Sequence, residues 1–369
     1  MWISGGCGRC IVNFTHAPEA GQRLISCLTI RPPVPSILAM SLTSLCLRFD
    51  QTGSPADVLK LAERSLPPLG SHDVRVRMRY APVNPADLNF IEGNYGRAAH
   101  PPAIPGHEGC GEVQAVGPEV TSLKPGDVVM PLLGAGCWAQ HLTAAEHFFA
   151  RLPESIDPVQ AAMLRINPVT AWHLLTQHVA LSEGEWVLQN AANSGVGRAL
   201  IQIARQRGLK TANFVRRKEL ADELRQLGAD AVFTDDEKGL EEARERLKAH
   251  PPRLAANAVG GDSALRQMDL LAPEGMLVTY GAMSRRSLKV PNKFLIFKGL
   301  RLHGLWITRW YEQASSQELH DALEPLARMI LDHELHTAVE EVIPMAQYAR
   351  AMQRAAADSR AGKIVLDLA

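Results

Sequence analysis

A run of small residues, Ala191-Ala192-Asn193-Ser194-Gly195-Val196-Gly197, separates an apolar stretch (186–190) from a second one (196–207). Side chains this small let the backbone approach a pyrophosphate. A helix opening there turns unpaired N–H groups and its positive dipole end toward the anion. The spacing is small-x-x-small-x-x-Gly, with Ala191 and Ser194 where glycine is more usual. The next chemistry-bearing group, Arg216-Arg217-Lys218, follows the apolar stretch 211–215. An NAD-binding chain places Asp or Glu there to hold the ribose 2′-hydroxyl. A carboxylate would repel a 2′-phosphate, whereas guanidinium groups grip it through paired hydrogen bonds. The plainer readings are a tight strand-to-helix turn and a solvated basic cluster. Three like charges at the positive end of a helix are locally unfavourable, which favours the ligand reading and NADPH over NADH.

These residues need elements to hold them. From about 157 the chain alternates strand-like and helix-like stretches: 186–190 then 196–207, 211–215 then 218–228, 231–234 then 238–248. Next come 254–259 then 263–271, 276–281 and 301–307. That rhythm is the βαβ pattern of a doubly wound, Rossmann-type parallel sheet covered on both faces. Between 41 and about 150 the pattern is short strands broken by Gly and Pro. Val74, Val76 and Met78 alternate with charged residues, and further strands are expected at 111–117, 127–133 and 138–143. This predicts a β-rich, barrel-like module. Helical stretches at 316–333 and 345–357 precede a terminal strand that completes the first module. The expected division is 41–166 plus 311–369 for the β-rich module and 167–310 for the nucleotide module.

Length and composition bound the rest. A chain of 369 residues exceeds one ordinary domain. Lys plus Arg and Asp plus Glu both total 39, so the basic excess of a dedicated nucleic-acid binder is missing. No apolar run is long enough to span a bilayer. Six cysteines are scattered and include Cys7-x-x-Cys10 without a second ligand pair, which argues for a reducing compartment over a zinc or redox site. Residues 1–39 hold one acidic residue, Glu19, with Arg9, Arg23 and Arg31, and show no sustained period. They read as a disordered extension or over-extended start, or as an organelle transit peptide. The former goes with a bacterial cytoplasm, the latter with the mitochondrial matrix.

Gly106-His107-Glu108-x-x-Gly111, with Gly117 and Val120, resembles the signature of zinc-containing alcohol dehydrogenases. The two-module layout resembles the medium-chain dehydrogenase/reductase superfamily, whose first module is a GroES-like barrel. Catalytic zinc needs three protein ligands. His107 is one candidate, but the other two ligand places hold Asn84 and Ile166, so no zinc is expected. His107 then reads as a structural or supporting residue. Alcohol oxidation there relies on the metal; without it, conjugate hydride addition to an activated double bond is the natural reaction.

Further motifs narrow the resemblance. Asn84-Pro85-Ala86-Asp87-Leu88-Asn89, Gly93-Asn94-Tyr95-Gly96, Asn167-Pro168 with Thr170-Ala171 and Asn193-Ser194-Gly195-Val196-Gly197 are similar to the mitochondrial-type trans-2-enoyl-CoA reductase family. So are Tyr280-Gly281-Ala282-Met283, Leu295-Ile296-Phe297-Lys298 and Gly304-Leu305-Trp306, in order from 41 to 369. The resemblance implies that Tyr95 gives a proton to the α-carbon of an enoyl thioester after hydride reaches the β-carbon. A phenol, ordinarily with a pKa near 10, keeps that proton at neutral pH. It also implies that Asn167, Asn193, Ser194, Gly195, Val196, Arg216, Arg217, Lys218, Tyr280, Gly281, Ala282, Met283, Leu305, Trp306, Ile307 and Lys363 surround NADPH. Trp306 would lie near the nicotinamide or the acyl pocket.

Three features depart from that family: His107 where Asn is expected, Arg165 before Ile166-Asn167-Pro168, and a basic triplet lacking its usual acidic middle residue. The implied activity is NADPH-dependent reduction of enoyl-CoA or of enoyl chains on acyl-carrier protein, in fatty-acid synthesis, by a homodimer joined through its nucleotide sheets. Arg97, Arg165 and Arg309 are candidates to receive the charged end of such a substrate. The rival readings are a quinone or enone reductase and an NADPH-binding sensor without turnover.

Overall fold

Val74, Val76 and Met78 are all fully buried, as the alternation at 73–82 requires, and that strand is the spine of the first sheet. The computed structural model describes residues 42–369 apart from Leu133, Ala135 and 358–360. The Cys7–Cys10 pair and the reading of residues 1–39 lie outside the described residues.

β1 (Thr43–Phe49) and β2 (Leu59–Ser65) form an antiparallel ribbon. β3 (Asp73–Pro82) pairs β4 (Cys110–Val116) along one edge. On its other edge lies β6 (His141–Ala145), while β5 (Val128–Pro131) and β7 (Phe149–Arg151) extend the sheet beyond β4. Leu47, Phe49, Val76, Met78 and Trp138 fill the core of this module. Each such side chain contributes roughly 1.5–3 kcal/mol on burial.

The second sheet is parallel: β8 (Trp186–Gln189), β9 (Lys210–Val215), β10 (Ala231–Thr234), β11 (Leu254–Asn257), β12 (Met276–Thr279) and β13 (Arg301–Gly304). Their spatial order is β10-β9-β8-β11-β12-β13. The sequence order therefore reverses between β8 and β11, the crevice where a dinucleotide binds in such sheets. Neighbouring residues on one strand enter opposite cores. Val187 and Val278 pack with Leu174, Leu200 and Leu326, whereas Trp186, Leu188 and Leu277 pack with Leu240 and Phe294. A sheet buried on both faces explains why these strands read as continuous apolar runs rather than alternations.

The chain then returns. β14 (Val339–Pro344) and β15 (Lys363–Asp367) join the first sheet, β15 beside β3. The helix Ser316–Leu331 buries Leu323, Leu326, Ala327 and Ile330 in the nucleotide-side core. One expected strand needs correcting. The strand at 301–307 stops at Gly304, and a helix, Ile307–Gln313, begins at once. Ile307 and Tyr311, four residues apart, bury together there, a helical spacing that the short apolar run concealed.

Candidate active site

The small-residue turn opens the helix Gly195–Gln206 as expected. Ser194 caps it, its hydroxyl accepting the Gly197 N–H at 3.2 Å. A Cβ on Gly197 would lie 2.5 Å from the Ala192 carbonyl oxygen, so only glycine lets the first turn of the helix fold this closely onto the preceding loop. Ala191 takes the left-handed conformation at φ 48°, a strain that an L-residue accepts at a cost of about 1 kcal/mol. Asn167, first residue of the helix Asn167–Thr176, lies against this turn, 3.0 Å from where a Gly195 Cβ would stand.

The Asn167 Nδ2 is buried with no hydrogen-bond partner among the described residues. An orphaned donor costs roughly 1–3 kcal/mol, and one beside a helix N-terminus fits a nucleotide that would accept from it. Arg216, Arg217 and Lys218 stand exposed where β9 ends. Tyr280 follows β12 at the same carboxyl edge, and burial pushes its hydroxyl pKa up against the opposing pull of the Ser194 hydroxyl. A Gly281 Cβ would come within 2.9 Å of the Ala258 carbonyl, and Met283 is exposed beyond it. Beneath, Asn190 donates to Asn257 and Ser263 at 2.8 Å each, a buried network that stiffens this edge.

Across the crevice, Tyr95 belongs to the β-rich module, just after the helix Pro85–Glu92 and its left-handed Gly93 (φ 79°). Trp306, just beyond β13, donates its Nε1–H to the Tyr95 hydroxyl at 3.0 Å. The His107 ring meets Tyr95 edge to face at 4.9 Å between centroids. Asp87, fully buried, faces His107 Nδ1 at 2.5 Å.

The neighbouring cluster ties the two halves together. Asn84 donates to Glu108 at 2.8 Å, Lys363 donates to Asn84, and Glu108 accepts the Ile166 N–H at 2.8 Å. Burial raises the Glu108 pKa. Asn84 and Ile166, standing at two places of the zinc signature, are thus bound to a carboxylate. The Cys110 and Cys137 thiols are held neutral by burial, pushed up to about 12. Among the described residues no group of three or more His, Cys, Asp or Glu is placed to hold a metal ion.

Asn193–Val196, Arg216–Lys218, Tyr280–Met283 and Leu305–Ile307 follow the carboxyl ends of β8, β9, β12 and β13, and three expected residues stand differently from the sequence expectation. Ile307 turns its side chain into the core, leaving only its backbone for a ligand. Lys363 reaches Asn84, on the β-rich side. Arg165 is not at the cleft mouth: it is 1% exposed, bonds the His107 and Leu132 carbonyls at 3.0 and 2.9 Å, and lies over the Tyr311 ring. A guanidinium with carbonyl partners and an aromatic face is a structural clasp. Of the other two arginines, Arg97 is paired with Glu312 and Arg309 is exposed. Asp87 has no role in the sequence expectations; its place three residues after Asn84, in the first turn of the helix Pro85–Glu92, is the signal that marks it, and its carboxylate accepts the Asn84 N–H at 2.8 Å.

Residues 70–154 match the alcohol dehydrogenase GroES-like domain, and 195–327 match the zinc-binding dehydrogenase domain. The mitochondrial enoyl-[acyl-carrier-protein] reductase of Rattus norvegicus is 40% identical over 313 residues, 83% of this chain and 84% of that protein. Among solved structures, a protein from Bacillus thuringiensis described as a putative NADPH:quinone reductase superposes with TM-score 0.83 at 28% identity, over 89% of this chain and 99% of that one. The Etr1p/NADP/crotonyl-CoA complex superposes with TM-score 0.81 at 27% identity, over 88% and 100%. The mitochondrial 2-enoyl thioester reductase Etr1p/Etr2p heterodimer from Candida tropicalis does so with TM-score 0.80 at 27%, over the same shares.

Proposed function

The chain belongs to the mitochondrial enoyl-[acyl-carrier-protein] reductase family, and from that membership we propose that it reduces trans-2-enoyl thioesters with NADPH in fatty-acid synthesis. The observation that carries this reading is the Trp306–Tyr95 hydrogen bond. It draws a phenol from the β-rich module to the carboxyl edge of the nucleotide sheet.

NADPH, when bound, supplies the hydride. The helix N-terminus at Ser194–Gly197 would hold its pyrophosphate, and Arg216, Arg217 and Lys218 would hold its 2′-phosphate. Asn193, Val196, Asn167, Tyr280–Met283 and the backbone of Leu305–Ile307 would line the rest, with Lys363 at the β-rich side. Once the β-carbon of the substrate carries hydride, an enolate remains on the thioester. Tyr95 protonates its α-carbon. The Trp306 N–H steadies the phenolate left behind, a charged hydrogen bond worth about 1.5–3 kcal/mol. The Asn84, His107 and Ile166 constellation supports a zinc-free mechanism. We divide the chain into a β-rich catalytic module, 41–166 plus 311–369, and a nucleotide module, 167–310, with the helix Ser316–Leu331 packed on the nucleotide-side core.

Two further features extend the proposal. β13 is exposed along its whole length at the sheet edge, beside Leu295, Ile296 and Phe297, which are 44, 69 and 85% exposed. An unpaired edge next to apolar side chains suits a second copy of the chain. Equilibrium sedimentation reading a monomer would remove the dimer. The relatives' names and the Arg-bearing, acid-poor residues 1–39 support a mitochondrial matrix enzyme with a transit peptide. Mass-spectrometric mapping of the mature N-terminus checks it, and an uncleaved start at Met1 would count against it.

The likeness to the Bacillus thuringiensis protein keeps quinone reduction as the second reading. NADPH oxidation with a trans-2-enoyl-CoA and with 1,4-quinones separates the two. Rapid enoyl-CoA turnover is expected; fast quinone turnover with inert enoyl-CoA would favour the second reading. Turnover of neither would favour a sensor.

A further inference from the structure

Behind Tyr95 lies a pair of groups that the hydride and proton steps leave unused. Asp87 is fully buried and His107 is 5% exposed. One Asp87 oxygen accepts the His107 backbone N–H at 2.8 Å and faces its Nδ1 at 2.5 Å, while the other accepts the Asn84 N–H at 2.8 Å. The Nδ1 proton is thereby committed to Asp87, and Nε2 is the nitrogen left for exchange.

The ring cannot turn away. Phe90 and Tyr95 both meet it edge to face, at 5.6 and 4.9 Å between centroids. Its carbonyl accepts from Arg165 at 3.0 Å. The preceding Gly106 sits at φ 101° with Trp138 against it, so a Cβ there would lie 2.6 Å from the Trp138 backbone nitrogen. Asp87 also closes the cap of the helix Pro85–Glu92, and the same carboxylate fixes the ring through Nδ1, so the cap and the ring orientation are one rigid unit.

Each turnover removes the Tyr95 proton, and another must arrive. The Trp306 indole steadies the oxygen but, as a donor only, does not give its proton up. An imidazole exchanges protons readily near neutral pH. We propose that His107, oriented by Asp87, is the relay that returns a proton to Tyr95 after each reduction. The step balances without moving electrons. The phenolate oxygen takes a proton from His107 Nε2, directly or through one water; the neutral ring then takes one from solvent, and Asp87 stays ionised.

His107 acts through Tyr95 and is a positioning residue for the reaction. The inference rests on the enoyl reductase reading. Its test uses the full chain with His107→Ala and His107→Phe, NADPH and a trans-2-enoyl-CoA. Steady-state turnover should fall about a hundredfold in both variants, about tenfold or more beyond any loss in the first turnover, with NADPH affinity kept. Added imidazole should restore steady-state turnover in His107→Ala and do nothing for Tyr95→Phe. A His107→Phe enzyme at the wild-type rate, or no rescue by imidazole, would overturn the relay. Should the wild-type chain leave enoyl-CoA untouched, the reductase reading fails by itself. Imidazole-nitrogen NMR of wild type and Tyr95→Phe then decides the coupling: the His107 Nε2 resonance moves if the two groups share a proton path, and an unmoved resonance sinks it.

Discussion

The phosphate turn gathers seven consecutive residues, Ala191 to Gly197, whereas the Tyr95 hydroxyl meets the Trp306 indole across 211 positions of sequence. The first is shaped by backbone rules that act locally: a cap on Ser194, a close approach at Gly197, a left-handed Ala191. The second exists only once both sheets have folded and their edges have met. A locally built site survives single side-chain changes as a weakened binder. A site assembled across the fold loses its chemistry when one partner goes.

The contrast is sharpest at Tyr95. Tyr95→Phe keeps the ring and its packing on His107 but removes the proton, so kcat should fall by about 10²–10⁴ while NADPH affinity is unchanged. Stopped-flow reduction with fluorescence-monitored NADPH binding reads both. Equal losses in binding and rate would erase the distinction between the two sites.

Arg216→Ala touches the other site and should act on binding alone. The NADPH-over-NADH preference should drop about ten- to a hundredfold, the loss of a hydrogen bond to a charged group, with maximal rate kept. An unaltered preference in the ratio of kcat/KM values would remove the basic triplet from the 2′-phosphate.

Much of the first region was legible because its signals are contiguous. The strand-turn-helix context, Arg216 to Lys218 after β9 and the fully buried Val74, Val76 and Met78 all follow from spacing. What escaped depends on tertiary placement. Nothing in the sequence distinguishes a cleft arginine from one clasped between carbonyls, and Arg165 is the clasped kind. The turn after Gly304 was hidden because Leu305, Trp306 and Ile307 read equally well as strand or helix. The resemblance singled out Tyr95 and Trp306 separately; their hydrogen bond is a fact of the folded chain.

An acid titration probes the helix that starts at Asn167 and carries His173. Burial pushes His173 and His178 down from 6.5 to about 4, with His303 close to both. Their folded pKa values lie below the unfolded one, so the unfolded chain binds protons first. The stability they allow is whole above about pH 6.5 and is lost as pH falls toward 4. Discounted for partial solvent access at His178, the loss is on the order of 2–4 kcal/mol. Urea unfolding across that range should show a smaller decline in a His173→Asn, His178→Gln variant than in the wild type. Parallel declines would discard the two rings as its source.

The smallest effect is expected at Ala191. Ala191→Gly relieves the φ 48° strain but loosens the unfolded chain, giving a net gain of at most about 1 kcal/mol, read as a slightly higher melting temperature. A large loss of stability would mean that the methyl group packs as well as strains.

The central claim is a proton delivered by this chain's phenol to carbon, and isotopic labelling follows it directly. Reduction of a trans-2-enoyl-CoA by NADPH in heavy water should give a saturated thioester with solvent deuterium on the α-carbon and none on the β-carbon. Tyr95→Phe should slow that deuteration. Label at the β-carbon, or α-deuteration at the full rate without the phenol, would contradict the account.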